Sequence, residues 1–417
     1  MKSDMAIPRT RPGKHPAILS YGFRPFFLLG SIYAALAILF WLPLLYGILD
    51  TASALAPVDW HIHEMLFGYI AAVVTGFLLT AIPNWTGRLP VQGVPLMTLV
   101  LLWLAGRFAV FFSGVIGWIA AAAIDSAFLF AVTAAAAAEI IAGRNWRNLK
   151  VLVPVCVLFA ANLVFHIEAH FRGLSDFSRR LGIGAAILLI MVVGGRIIPS
   201  FTRNWLARQN PGRLPVPFGR YDTAVILLSS ASLIAWTAFP DGVSTGAALL
   251  AAALFNAARL ARWAGDRTLR DPLVLMLHLA YAFVPVGFLL AGFAAISPQV
   301  VPPAAALHAF GVGAIGCMTL AVMMRATLGH TGRELRAGVD GCSLFAAMLL
   351  AGVLRVCAAS HPEQPMLLHL SAAAWSAGFL GYAALFGRML LRPKLRAGEN
   401  EGRDLLVTLV PRRGAKR

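Results

Sequence analysis

Long apolar runs separated by short basic breaks fill this chain almost from end to end. Twelve of the runs have the length of a bilayer-crossing helix, about 20 residues at 1.5 Å each. They fall at 24–47, 61–83, 94–115, 117–141, 150–171, 180–200, 221–239, 243–264, 272–295, 303–327, 340–358 and 366–391. The expected fold class is all-α: a polytopic membrane protein with about twelve transmembrane helices. No soluble domain fits between the runs. The organisation predicted is an N-terminal arm over 1–23, a transmembrane helical domain over 24–391 and a basic tail over 392–417. The first residues, MKSDMAIPRTRPGKHP, are basic and lack a short apolar core with a small-residue cleavage site. No cleaved signal peptide is expected.

Composition agrees with the pattern. The 417 residues are 59% hydrophobic and only 13% charged, with a mean hydropathy of +0.76. That excludes an ordinary soluble globule. The net charge of +17 would suit nucleic acid if the cations formed a patch. They sit instead in short connections, as cytoplasmic loops do, so the partner expected is the lipid bilayer and not nucleic acid. Basic residues mark the arm (Lys2, Arg9, Arg11, Lys14), the even-numbered connections (from Arg88 to Arg336) and the tail. The odd connections are short or acidic, so both termini are expected in the cytoplasm of a bacterial inner membrane. One odd connection breaks the rule by holding Arg172, Arg179 and Arg180; a misplaced span or an anionic ligand on that face accounts for it. The four cysteines (Cys156, Cys317, Cys342, Cys357) form no C-x-x-C pair and read as small buried hydrophobes.

The run over 60–88, WHIHEMLFGYIAAVVTGFLLTAIPNWTGR, repeats. Shifted by 245 residues, His63 falls on His308, Gly68 on Gly313, and Thr86-Gly87-Arg88 on Thr331-Gly332-Arg333. Span 6 carries a weaker third copy in Ile198-Pro199 and Thr202. Spans 2, 6 and 10 are four apart, which predicts three four-helix units.

Seven of the ten histidines (His61, His63, His166, His170, His308, His361 and His369) fall at the outer ends of their spans. Ionisable groups at membrane depth are costly without a partner and mark function. His166 and His170 are four apart, on one helix face with Asn162, where two imidazoles can share a metal ion or make a polar contact between helices. His61 and His63 are two apart and face different ways; Glu64 lies on the face of His61, and Phe67 on that of His63. His63 and His308, each followed by a glycine five residues on, suit axial ligation of a haem between two helices; plain helix packing explains the glycines equally well. Arg172, Arg179 and Arg180 can pair with haem propionates. The other intramembrane charges, each a functional candidate, are Arg107, for which Asp125 in the next span is the expected partner, Glu139, Arg355, and Arg196 and Arg325, which can snorkel.

The segments WHIHEMLFGY, FLLTAIPNWTGR, GGRIIPSFTRNW and HAFGVGAIGCMTLAVMMRATLGHTGR, with GFRPFFLLGS earlier, resemble the NnrS family over nearly the whole chain. That is a bacterial inner-membrane family of about twelve spans, associated with the nitric oxide response and described as containing haem and copper. The resemblance implies a role in handling nitric oxide or related reactive nitrogen species and relieving nitrosative stress; it names no reaction and no electron donor. Twelve spans in three groups of four is also similar, at the level of fold, to the catalytic subunit of haem–copper oxidases, but that family's histidine pair on span 10 is missing, since only His308 stands there.

The expectation is therefore haem b near the outer face, held axially by His63 and His308, with His61, Gly68, Gly313, Arg179 and Arg180 around it. Copper is expected on His166 and His170, with His369 or His61 completing the set. Two rival classes are a twelve-span secondary transporter, which would be colourless, and a haem-based sensor or carrier that binds nitric oxide without turnover.

Overall fold

The computed structural model describes residues 15–209 and 212–395. Most of the predicted arm, and residues 396–417 of the predicted tail, lie outside the described residues. Among the described residues, twelve helices are long and apolar enough to cross a membrane: α1 Phe23–Leu45, α2 Pro57–Thr86, α3 Val94–Phe111, α4 Trp118–Ala142, α5 Trp146–Arg172, α6 Asp176–Leu206, α7 Arg220–Ala238, α8 Val243–Arg267, α9 Pro272–Ile296, α10 Pro303–His330, α11 Gly338–Ser360 and α12 Pro365–Leu391. No strand occurs among the described residues. Each helix coincides with one predicted run. The inner helices reach further than hydropathy suggested, because they run on into polar residues at their ends.

Three helices lie inside and nine outside. The most apolar windows of α2, α6 and α10 are 83%, 67% and 72% buried, and no other exceeds 56%. The inner helices thus recur every fourth span, as three units of four require. Chain neighbours pack around them, and the ring closes where α12 returns to α1. There Arg24 donates to the carbonyls of Leu390 (2.7 Å) and Arg392 (2.6 Å), satisfying C-terminal oxygens that a helix leaves free. Trp375 Nε1 donates to Ala34 O at 2.9 Å in the same seam.

The repeat has a structural cause at both ends. At one end, Gly87 (φ +71°) and Gly332 (φ +78°) adopt the left-handed conformation just past α2 and α10, which favours glycine as the helix stop. Thr86 and Thr331 return their hydroxyls to Ile82 O (2.9 Å) and Thr327 O (2.6 Å). In α6, Thr202 does the same to Ile198 O at 2.8 Å, but no glycine follows and the helix runs on. At the other end, both α2 and α10 contain a π-helical stretch, Glu64–Ile70 and Ala309–Gly316. The two begin 245 residues apart, directly after His63 and His308. Wide turns of this kind are rare and concentrate at functional sites.

Candidate cofactor cavity and buried polar cluster

The end of the bundle formed by the first turns of α2, α6 and α10 (the upper end below) carries two distinct sites. The first is a cavity of about 370 Å³, within the range of small-molecule and cofactor pockets. Its walls come from α1, α2, α6, α10, α11 and α12 and are mostly apolar. Its imidazole and guanidinium groups are His61, His308, Arg179 and Arg355, and Tyr69 and Ser371 also line it. His61 stacks on Trp41 (centroids 4.2 Å apart, 24° between planes), and its Nδ1 is buried without a hydrogen-bond partner. Among the described residues no hydrogen bond meets His308, and no acid pairs with Arg355. Gly311 faces the same space, with nothing within 4 Å of where a Cβ would stand.

The loop before α6 sets Arg179. Glu168, near the end of α5, accepts from the backbone N–H of Phe177 and Ser178, both at 2.8 Å, and from the Ser178 hydroxyl at 2.6 Å. That caps the first turn of α6, whose N–H groups have no partner in the helix. Asp59, at the start of α2, accepts from the Ser175 hydroxyl and so ties the two inner helices together. Asp176 accepts from Arg179 and, at 2.8 Å, from Arg180. Two of the three basic residues that break the positive-inside pattern, Arg179 and Arg180, are thus fixed by an acid beside them, and α6 is long and apolar enough to be a span. Of the two, only Arg179 lines the histidine cavity; it also lines, with Arg180, Asp176 and Asp241, a neighbouring hollow of about 170 Å³.

The second site is a closed cluster under the π turn of α2. His63 is fully buried. Its Nδ1 meets Glu64 Oε1 at 3.2 Å, and its Nε2 meets Asn162 Oδ1 at 3.1 Å and Asp125 Oδ2 at 3.2 Å. His166 Nε2 meets the same Asp125 oxygen at 3.1 Å, and Asn162 Nδ2 donates to it at 2.8 Å. Arg107 bridges Glu64 and Asp125, and the Tyr33 hydroxyl also bonds Glu64. Helices α1 to α5 all contribute. Gly68 makes room: a Cβ there would stand 2.6 Å from Arg107 Nη1 and 2.8 Å from Glu64 Oε2.

One donor atom each from His63, Asp125 and His166 lies within 4.8 Å of the other two. Two donors about 2.0 Å from a shared ion stand about 3.2 Å apart at a bond angle of about 105°. The 3.1 and 3.2 Å separations to Asp125 Oδ2 match that as closely as they match hydrogen bonds. Charge also counts. Two carboxylates face one guanidinium, which leaves one negative charge that a proton or a cation must balance, since buried charge is stable only when compensated.

The sequence-predicted residues therefore sort differently from the pairs in which they were read. His61, not His63, shares a cavity with His308. The reason is directional: His63 points with Phe67 (ring centroids 5.3 Å apart) towards α5, as expected, and that face meets Asp125 instead of α10. Glu64 orients His63, not His61. His166 joins His63, but His170 at the exposed end of α5 stacks on Trp118 at 4.5 Å. His369 stacks on Tyr46 at 5.6 Å and meets its hydroxyl at 3.2 Å. Neither is brought to His166. Gly313 is filled by the Phe283 ring, 2.2 Å from its would-be Cβ, so it packs helices. The Arg107–Asp125 pair and the Asn162–His166 stripe are present as read.

Arg355, an intramembrane charge that the sequence marks as a functional candidate, joins the histidine cavity; sequence reasoning missed Tyr33 and a second buried network at the lower end. There Arg259 donates to Asp222 (2.8 Å), Met191 O (3.1 Å) and Tyr281 (3.0 Å), and Tyr281 donates to Asn256 at 2.9 Å. Arg259 sits five residues before the end of the apolar run over 243–264, beside other basic residues, and a charge so placed resembles one more loop cation.

A family model for NnrS protein matches residues 17–394, which include all twelve helices. No curated protein matches the chain.

Proposed function

Since the chain belongs to the NnrS family, a membrane family of the nitric oxide response, we propose that it holds haem and copper and binds nitric oxide or a related reactive nitrogen species, relieving nitrosative stress. The observation that carries this reading is the convergence of His61 and His308 on one cavity, each with ring nitrogen free of protein partners. The residues fit a haem: two imidazoles from different inner helices, an open glycine at Gly311, and Arg179 and Arg355 to meet carboxylates. Bound there, haem supplies a redox-active iron with affinity for nitric oxide. The protein's own part is positional. Trp41 fixes the plane of His61, Asp176 fixes Arg179, and the apolar walls keep water from the space between the histidines.

Copper is assigned to His63, His166 and Asp125, with Asn162 and Glu64 holding the ligands in place. Imidazole and carboxylate suit a first-row metal, and a cation there balances the remaining charge. With the basic connections on the cytoplasmic side of a bacterial inner membrane, both termini are cytoplasmic and the cavity lies near the periplasmic face.

The test is a reduced-minus-oxidised optical spectrum of the detergent-purified protein, with metal analysis on the same sample. A haem b signal that is lost in His61→Ala and in His308→Ala but kept in His63→Ala supports the assignment. Loss in His63→Ala with retention in His61→Ala returns the axial role to His63. A folded, colourless, metal-free protein overturns the reading and favours a secondary transporter. Consumption of nitric oxide with an electron donor separates turnover from binding alone.

A further inference from the structure

Below the histidine cavity, the same three inner helices line a second, partly open space of about 70 Å³. It is lined by α2 (Val74, Phe77), α6 (Ala186, Val193) and α10 (Met318, Thr319), among others, and Thr319 carries the only polar side chain in its wall. That hydroxyl is already used: it donates to Ile315 O at 2.8 Å and bonds the Tyr69 hydroxyl. A water molecule needs two to four polar partners, so a space with none to offer stays dry and takes apolar guests instead. Its volume admits a molecule of two or three heavy atoms and is far below the size of a drug-like pocket. The two spaces adjoin. Ile70 lines both, and Tyr69 on the wall of the upper one bonds Thr319 on the wall of the lower.

We propose that this dry space between α2, α6 and α10 is a binding site for a small uncharged gas molecule, and that such a gas passes from it to the histidine cavity. The gas site rests only on the shape and chemistry of the space. The passage to a haem-bound state rests on the function proposed above, where the gas is nitric oxide. No covalent step is involved.

Xenon separates the two claims, because it probes the space without any cofactor. Crystals of the full chain pressurised with xenon are expected to show the atom between Val74, Val193 and Met318. In Val193→Phe, whose ring fills the space, that site is lost; Ala186→Phe serves if Val193→Phe fails to fold. Xenon absent from the wild-type space, or a lipid acyl chain occupying it, overturns the gas site whether or not the protein holds haem. In haem-loaded protein, the filled variant is expected to slow nitric oxide rebinding after flash photolysis about tenfold, which is about 1.4 kcal/mol of barrier, with its optical spectrum unchanged. Equal rates in wild type and filled variant, with xenon still bound in the wild type, overturn the passage and leave the gas site standing.

Discussion

Replacing Arg107 with methionine gives the sharpest test of how the upper cluster is held together. In the wild type, one guanidinium bridges Glu64 and Asp125, both about 1% exposed as side chains. Arg107→Met keeps most of the side-chain volume but leaves two buried carboxylates with no fixed cation. Breaking a buried pair from one side costs about 3–5 kcal/mol, because the partner's charge stays behind uncompensated. Here two partners are abandoned, so the upper end of that range applies, against a total stability of about 5–15 kcal/mol for a typical protein. The triple variant Glu64→Gln/Arg107→Met/Asp125→Asn removes all three charges at similar shape and is expected to recover more than half of the loss, as coupled neighbours do. The assay is the unfolding midpoint in mixed micelles, titrated with a denaturing detergent. A loss under about 1 kcal/mol for the single variant, or a triple variant no more stable than the single one, refutes the charge argument.

Four further outcomes follow from the geometry. Added copper is expected to raise the unfolding free energy by about 2.7 kcal/mol at one hundred times its dissociation constant, and His63→Ala or His166→Ala abolishes that increment; an unchanged increment in both removes the metal from this cluster. Gly311→Ala is expected to leave stability within about 0.5 kcal/mol of wild type, as open space allows, while lowering haem content measured by absorbance. Gly313→Ala, which drives a methyl into the Phe283 ring, loses about 1–3 kcal/mol to overpacking in the same unfolding assay. Gly195→Ala pushes against Arg259 Nη2, 2.1 Å from the new Cβ, and is expected to cost about 1–3 kcal/mol, with Asp222→Ala costing at least as much because it strands a buried guanidinium.

The twelve helices were legible because membrane spans are read from length and apolarity, which need no knowledge of what packs on what. The repeat was legible for a related reason: glycine stops and threonine back-bonds are local. Arg107–Asp125 was found because two intramembrane charges in adjacent spans have few other partners. The direction in which each histidine points was not legible. An inner helix such as α2 is apolar on every side, so its hydropathy carries no phase. The π turn after His63 then shifts every later side chain relative to a regular 3.6-residue helix, and nothing in MLFGYI announces it. That is why Glu64 was given to His61 and why His63 was paired with His308. Arg355 was legible as an intramembrane charge, but its place in the histidine cavity was not, because hydropathy does not show which helices α11 packs against.

The Arg107–Asp125 pair also bears on how the chain enters the bilayer. Each of these side chains alone would add up to about 2.5–3.5 kcal/mol to the insertion of its helix. They sit on α3 and α4, consecutive helices joined only by residues 112–117, and they meet across that hairpin. The two segments can therefore leave the translocon together with these two charges already neutralising each other, before α5 has been synthesised to deliver His166. Glu64, on α2, has already been made and waits for the same guanidinium. Biosynthetic order thus gives one arginine two acids in succession, and the first half of the bundle is assembled around it.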